Sequence, residues 1–197
     1  PDIVKPTIAG VSCLVKDSEN RKIIGDMFTI PSDQNFLISN GNEVTFRNGI
    51  KGEKWGILKT SVLNEFVGSL PSVDGVRYIS ENALWVPIAA RYNTVYINVP
   101  LRIYYQGTTD TLSSRNVAGR YPLGAWISER VILPHVYKYF WNQPKLICFS
   151  LVKMHYAAIL AQKTLKQTLK DFPFFLKIIT VITYPLGFIA LLAYPKK

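Results

Sequence analysis

The chain has 197 residues, 48% hydrophobic and 18% charged, which excludes wholesale disorder and is enough for a sizeable core. Cys13 and Cys148 are its two cysteines, too few for a disulfide framework and too far apart for a metal-type spacing. The net charge of +10 is not spread evenly: residues 1–114 hold 11 Lys/Arg and 11 Asp/Glu, whereas residues 115–197 hold 12 Lys/Arg against Glu129 and Asp171.

Ile8 to Lys16 predicts a strand, Asp17-Ser18-Glu19-Asn20 a turn, and Lys22 to Phe28 a return strand. A core strand this close to Pro1 leads us to expect a preceding part of the domain. Asn40-Gly41 and Asn48-Gly49 predict tight turns. Residues 60–68 predict a short helix, capped by Thr60 or Ser61 and ended by Gly68. Ser80 predicts the cap of a second helix running from Glu81 toward Tyr92, kinked or restarted at Pro87. Thr94 to Tyr105 predicts a strand with Val95, Ile97 and Val99 on alternate positions. Pro100 removes a ladder donor there and predicts an edge or a bulge. Tyr104 and Tyr105 fall on opposite faces of that strand. Residues 106–124, rich in Gly, Ser and Thr, predict a long loop.

From Ala125 onward the pattern is helical. Between Leu151 and Lys170, the residues Leu151, Ala158, Leu165 and Leu169 share one face, and Lys163, Lys166 and Lys170 gather on an adjacent one, predicting a basic amphipathic helix. An apolar tail begins at Phe172. Within it, Ile178 to Tyr194 is 17 residues without a charge, interrupted by Pro185 and Gly187. That length is at the short limit for a bilayer span, so a span, an in-plane segment and a buried core helix all stay open. The basic second part suits an anionic surface, either lipid or nucleic acid. The apolar tail favours lipid, and no nucleic-acid partner is expected. His135 and His155 are isolated and are expected to be structural.

Five stretches then stand in order: IAGVSCLVKDSENRKIIGDMF, GEKW at 52–55, LKTSVLNEF, YISENALW and YINVPLRIYY. Together, over residues 8 to 106, this order resembles the second half of bacterial family 2 glycosyltransferases. Two departures are Val99 where that family often has Glu after Asn98, and Val86-Pro87 where it often has Asn-Arg after the tryptophan. The resemblance implies an α/β, GT-A (Rossmann-like) fold that binds a nucleotide sugar and transfers the sugar to an acceptor hydroxyl with inversion. The family's nucleotide-binding half carries an Asp-x-Asp metal motif, and the seven aspartates here form no such pair. The resemblance therefore implies a partial domain lacking that half. A divalent metal, Mg or Mn, is expected in the complete enzyme and none on this portion.

The resemblance places the catalytic base at Glu81. A carboxylate takes the acceptor's proton as the new bond forms, and a helix N-terminus favours the ionised form that a base needs. Trp85, one turn on, would give a sugar ring a flat apolar wall. The bland alternative is a first-turn glutamate stabilising its helix by under ~1 kcal/mol. Glu53, Lys54 and Trp55 either line the acceptor pocket or form a surface turn with Trp55 in the core. Arg115 and Arg120 either close over a diphosphate or are solvated loop charges.

The expected organisation is an acceptor-side half-domain over 1–124, a basic helical region over 125–171 and a hydrophobic membrane-associated tail over 172–197. The expected function is sugar transfer in cell-surface polysaccharide or glycoconjugate synthesis, at the cytoplasmic face of the membrane. Its partners would be a nucleotide-sugar donor, a glycan or lipid-linked acceptor and the membrane surface. The rival reading is a non-catalytic, basic module that binds membrane and docks a partner.

Overall fold

The computed structural model of the chain describes residues 7–68, 75–105 and 117–193. The protein is mixed α/β and divides into two compact units, each discontinuous in sequence. The first comprises residues 1–69 and 88–111, the second residues 70–87 and 112–197. The expected cuts after 124 and 171 both fall inside the second unit.

The first unit is built on a four-stranded mixed sheet. Its strands are β1 (Ile8–Asp17), β2 (Leu37–Asn40), β3 (Lys54–Leu58) and β4 (Asn93–Tyr104), in the order β2-β4-β1-β3. β1 runs parallel to β4 and antiparallel to β3, and β2 is antiparallel to β4. The turn after β1 forms as expected, with the Asp17 carboxylate accepting from the N–H groups of Glu19 (2.8 Å) and Asn20 (3.0 Å). The return strand does not form. A single bridge joins Lys16 to Ile23, after which Gly25, at φ +87°, turns the chain away. From Leu14 back β1 has β3 on one side and β4 on the other, so beyond the Ile24–Val15 bond (2.9 Å) no ladder position is left for residues 25–28.

Asn40-Gly41 is not a hairpin turn either. The Asn40 side chain accepts from the N–H groups of Asn42 (2.8 Å) and Glu43 (3.4 Å), and so caps a short π-helical turn, Glu43–Arg47. An asparagine serves a cap as well as a turn, because either use satisfies the same orphan N–H groups. Asn48-Gly49 ends that element, with Gly49 left-handed at φ +69°. Pro100 lies at the expected irregularity, where the β1–β4 register shifts on both sides of the Leu14–Pro100 pair. β2 pairs with residues 93–96, so among the described residues the later part of β4 has β1 alone as a strand neighbour.

One face of this sheet is covered by its loops. Leu14, Phe28, Val44 and Tyr96 form a buried cluster, with Ile23, Ile30, Leu37 and Ile50 packed against it. The opposite face carries a row in register, one residue per strand: Ile38, Val95, Val11 and Ile57. Ile38, Val11 and Ile57 are exposed. Helix α1 (Thr60–Val67) buries Val62 and Phe66, and it starts from Lys59 without a side-chain cap. The end of helix α2 (Asn82–Arg91) is held to it by Arg91–Glu65 (2.6 Å) and by the Tyr92 hydroxyl donating to Glu65 (2.6 Å). α2 is continuous through Pro87, where the two units divide.

The second unit is helical: α3 (Val117–Arg120), α4 (Pro122–Val136), α5 (Pro144–Leu160), α6 (Leu165–Leu169) and α7 (Phe174–Ala193). α4 and α5 each begin at a proline, whose fixed φ and missing N–H suit the first helical position. α4 thus starts three residues before the expected Ala125. The stretch before α2 lies against α4. The Ser80 N–H donates to the Ser128 hydroxyl (2.9 Å), and Gly124 meets the Tyr78 carbonyl so closely that a Cβ would have no room.

The single amphipathic helix expected between Leu151 and Lys170 is two helices. α5 stops at Leu160, Gln162 takes φ +55°, and Thr164 starts α6 with a reciprocal capping box to Gln167. Trp126 fixes this corner. Its indole donates to the Thr168 hydroxyl (3.1 Å), and Arg130 and Lys163 lie over its ring at 4.9 and 5.6 Å. The Glu129 carboxylate is buried and pairs with Lys153 at 2.9 Å.

α7 is 20 residues long and apolar enough to cross a membrane. One side of it packs on α5 through Leu176, Thr180 and Gly187, all buried. His155 of α5 sits in that contact, 3.1 Å from the Thr183 hydroxyl and edge-on to Tyr184. The rest of α7 is exposed, with Phe174, Ile182, Ile189 and Leu192 the most open.

Candidate functional site

Glu81 is the residue before α2, and its carbonyl accepts the first helical bonds from Leu84 (2.9 Å) and Trp85 (3.1 Å). Its carboxylate is exposed, and no ion pair or hydrogen bond occupies it among the described residues. Trp85 stands four residues on and so on the same helical face, with 43% of its surface open. A free carboxylate beside an open aromatic face can accept a proton from a hydroxyl whose ring rests on the indole.

Glu53, Lys54 and Trp55 belong to the first unit. Glu53 is exposed and Trp55 half-buried on β3, opposite Cys13. Lys54 is committed to local structure. Its ammonium donates to the Lys51 carbonyl (2.8 Å) and lies over the Phe28 ring at 5.5 Å. Burial pushes the Lys54 amine below its ordinary value, with Asp26 and Glu53 pulling the other way.

Three of the stretches that carry the family resemblance meet here. Gly25 of IIGDMF and Gly52 of GEKW, both at positive φ, pack backbone to backbone with no room for a Cβ on either. Asp26 accepts from the Lys51 N–H (2.8 Å) and donates its own N–H to the Lys51 carbonyl (2.9 Å). Asn98 of YINVP clamps Phe28, accepting from its N–H and donating to its carbonyl, both at 2.8 Å. Sequence reasoning gave Asn98 no role, and its repeated pairing with one backbone residue is visible only in the fold.

Arg115 lies outside the described residues. Arg120 is exposed at the end of α3 and lines an open cavity of about 380 Å³ in the second unit. Arg77, to which the sequence gave no role, and Lys163, which it placed on a basic helix face, line the same cavity. His135 and His155 are both structural in setting, each lowered by burial, His155 to about 4. Among the described residues no group of three His, Cys, Asp or Glu side chains is placed to hold a metal ion. Comparison with family models, with curated proteins and with solved structures returns no match for this chain.

Proposed function

We propose that this chain is the acceptor-side part of an inverting, membrane-associated glycosyltransferase of family 2 type, in a GT-A fold. The observation that carries the reading is the pair Glu81 and Trp85: an unengaged carboxylate at a helix start with an open indole one turn away. Glu81 would draw the proton from the acceptor hydroxyl as its oxygen bonds to the sugar, and Trp85 would hold the acceptor ring. Two further observations support it. The stretches shared with the family pack on one another through backbone contacts that restrict what can replace them. The sheet also leaves an apolar row open on one face, as a domain lacking a covering layer would. Among the described residues no three His, Cys, Asp or Glu side chains are grouped to hold a divalent metal. On this reading the metal and the nucleotide-sugar donor belong to a nucleotide-binding half, and the acceptor is a glycan or lipid-linked.

The test is Glu81→Gln in the complete enzyme, assayed for sugar transfer. The change keeps size and removes basicity, so transfer is expected to fall at least ~10²-fold with folding unchanged. Turnover near wild type would remove Glu81 from the mechanism.

The exposed apolar side of α7, next to a basic unit, favours attachment to the membrane. It serves equally the second reading, a non-catalytic module that binds membrane and docks a partner. The two separate cleanly, because only the transferase reading makes Glu81 essential.

A further inference from the structure

We propose that the cavity lined by Arg77, Arg120 and Lys163 is a binding site for a phosphate-bearing group. The proposal does not rest on the transferase reading and concerns residues other than Glu81 and Trp85. The three cations come from distant parts of the chain: the segment before α2, the end of α3 and the turn after α5. Among the described residues no carboxylate lines the cavity and none of the three cations forms an ion pair. The only acids after residue 114, Glu129 and Asp171, already face Lys153 (2.9 Å) and Arg130 (3.7 Å). Three like charges converging on one opening repel one another, and an anion removes that repulsion.

The backbone adds to this. Leu123 and Gly124 line the cavity from the first turn of α4, where N–H groups have no helical carbonyl to bond. α4 is 15 residues long, so its N-terminus favours negative charge within that turn. The turn is held rigidly by Gly124 against the Tyr78 carbonyl and by the stacked rings of Tyr78 and Tyr121, 5.7 Å apart. Two guanidinium forks, one ammonium and first-turn N–H groups match the several acceptor oxygens of a phosphate or diphosphate better than a single carboxylate. The phosphate source is either a soluble phosphate or the headgroup of a membrane lipid, since the chemistry is shared.

The test uses the full chain without added metal. Calorimetric titration with inorganic pyrophosphate probes the soluble source. Co-sedimentation with vesicles containing phosphatidic acid, against phosphatidylserine vesicles at matched surface charge, probes the lipid source. Arg77→Gln, Arg120→Gln and Lys163→Gln are each expected to weaken binding about tenfold. Lys166→Gln and Lys170→Gln, equally basic and outside the cavity, should change it less than twofold. Because Lys163 also rests on Trp126, thermal denaturation of each variant separates lost binding from lost folding, and Arg77 and Arg120 alone suffice for the result. Loss confined to the cavity variants with pyrophosphate assigns a soluble ligand. Loss confined to phosphatidic acid vesicles assigns a lipid headgroup. Absence of binding in both arms, or equal loss in the Lys166 and Lys170 variants, overturns the site. Glu81→Gln should leave both measurements unchanged, so failure here and failure of the transferase reading are distinguishable.

Discussion

The two units use charge in opposite ways. The first holds ten Lys/Arg and nine Asp/Glu; the second holds thirteen and four. In the first, charges are engaged locally: Arg47 with Glu43, Arg91 with Glu65, Lys54 on the Lys51 carbonyl, Asp26 on the Lys51 N–H. In the second, Glu129 and Asp171 are paired with Lys153 and Arg130, Glu81 stays exposed, and the cations outnumber the acids thirteen to four. The comparison teaches that near-balanced charges can find partners within one unit, whereas a surplus of one sign leaves more cations than its own acids can neutralise.

The largest way to break that comparison is to unbalance the buried pair of the second unit. Lys153→Met leaves the buried Glu129 carboxylate, whose Oε2 already lacks a partner, with no counter-charge. We expect a loss of about 4 kcal/mol in chemical denaturation, recovered in large part by Glu129→Gln in the same chain. Hydrogen exchange should rise in α4 and α5 and not in β1 to β4. Equal loosening of the sheet would show that the charge economy is not local.

The next tests the second unit by pH. Thr183 donates its hydroxyl to the Ile179 carbonyl (2.8 Å), so His155 must donate from Nε2, leaving Nδ1 a buried acceptor without a partner. Burial lowers His155 to about 4, against the weaker opposing effect of the Thr180 backbone. The folded value is depressed, so the unfolded chain takes the proton first as pH falls. The stabilisation is complete above about pH 6.5 and is lost between 6.5 and 4, by up to roughly 3 kcal/mol. His155→Gln should flatten that part of the stability profile; an unchanged slope would assign it to other groups.

A smaller effect probes the first unit. Asn98→Ala removes both bonds to Phe28 and leaves its N–H and carbonyl unsatisfied, at a cost of about 2 kcal/mol in denaturant midpoint analysis. Loss under a few tenths of that would mean solvent replaces the clamp. The smallest sharpens the membrane contrast: Ile182→Asp, on the open side of α7, should lower retention on anionic vesicles in high salt about tenfold, because salt screens the lysines and not apolar burial. Retention that is unaffected would take α7 out of the membrane contact.

Much of this was legible in the sequence where one residue has one use. Asp17 could only cap its turn, and Pro100 could only interrupt its ladder. Residues with two uses were misread. Asn40 caps a helix rather than turning a hairpin, and Lys22 to Phe28 lost its strand because β1 had no free side, a property of the whole sheet. The break between α5 and α6 was available in Thr164-Leu165-Lys166-Gln167, a capping-box spacing hidden by the lysine stripe that spans it. Glu81 and Trp85 could be paired from spacing alone, being one helical turn apart. Arg77, Arg120 and Lys163 could not, since only the fold brings together side chains more than 40 residues apart.

The strand order has a consequence for how the protein is made. β4 sits between β2 and β1, yet it is the last strand to be synthesised. A chain leaving the ribosome can close β1 on β3 early, while β2 has no neighbour until residues 93–96 emerge. Through that interval one side of β1 stands unpaired and the Tyr96 ring is absent from the cluster around Leu14 and Phe28. An unpaired β1 edge is open to wrong pairing for as long as Asn93 is delayed, so a pause in synthesis before that residue would lengthen the exposure.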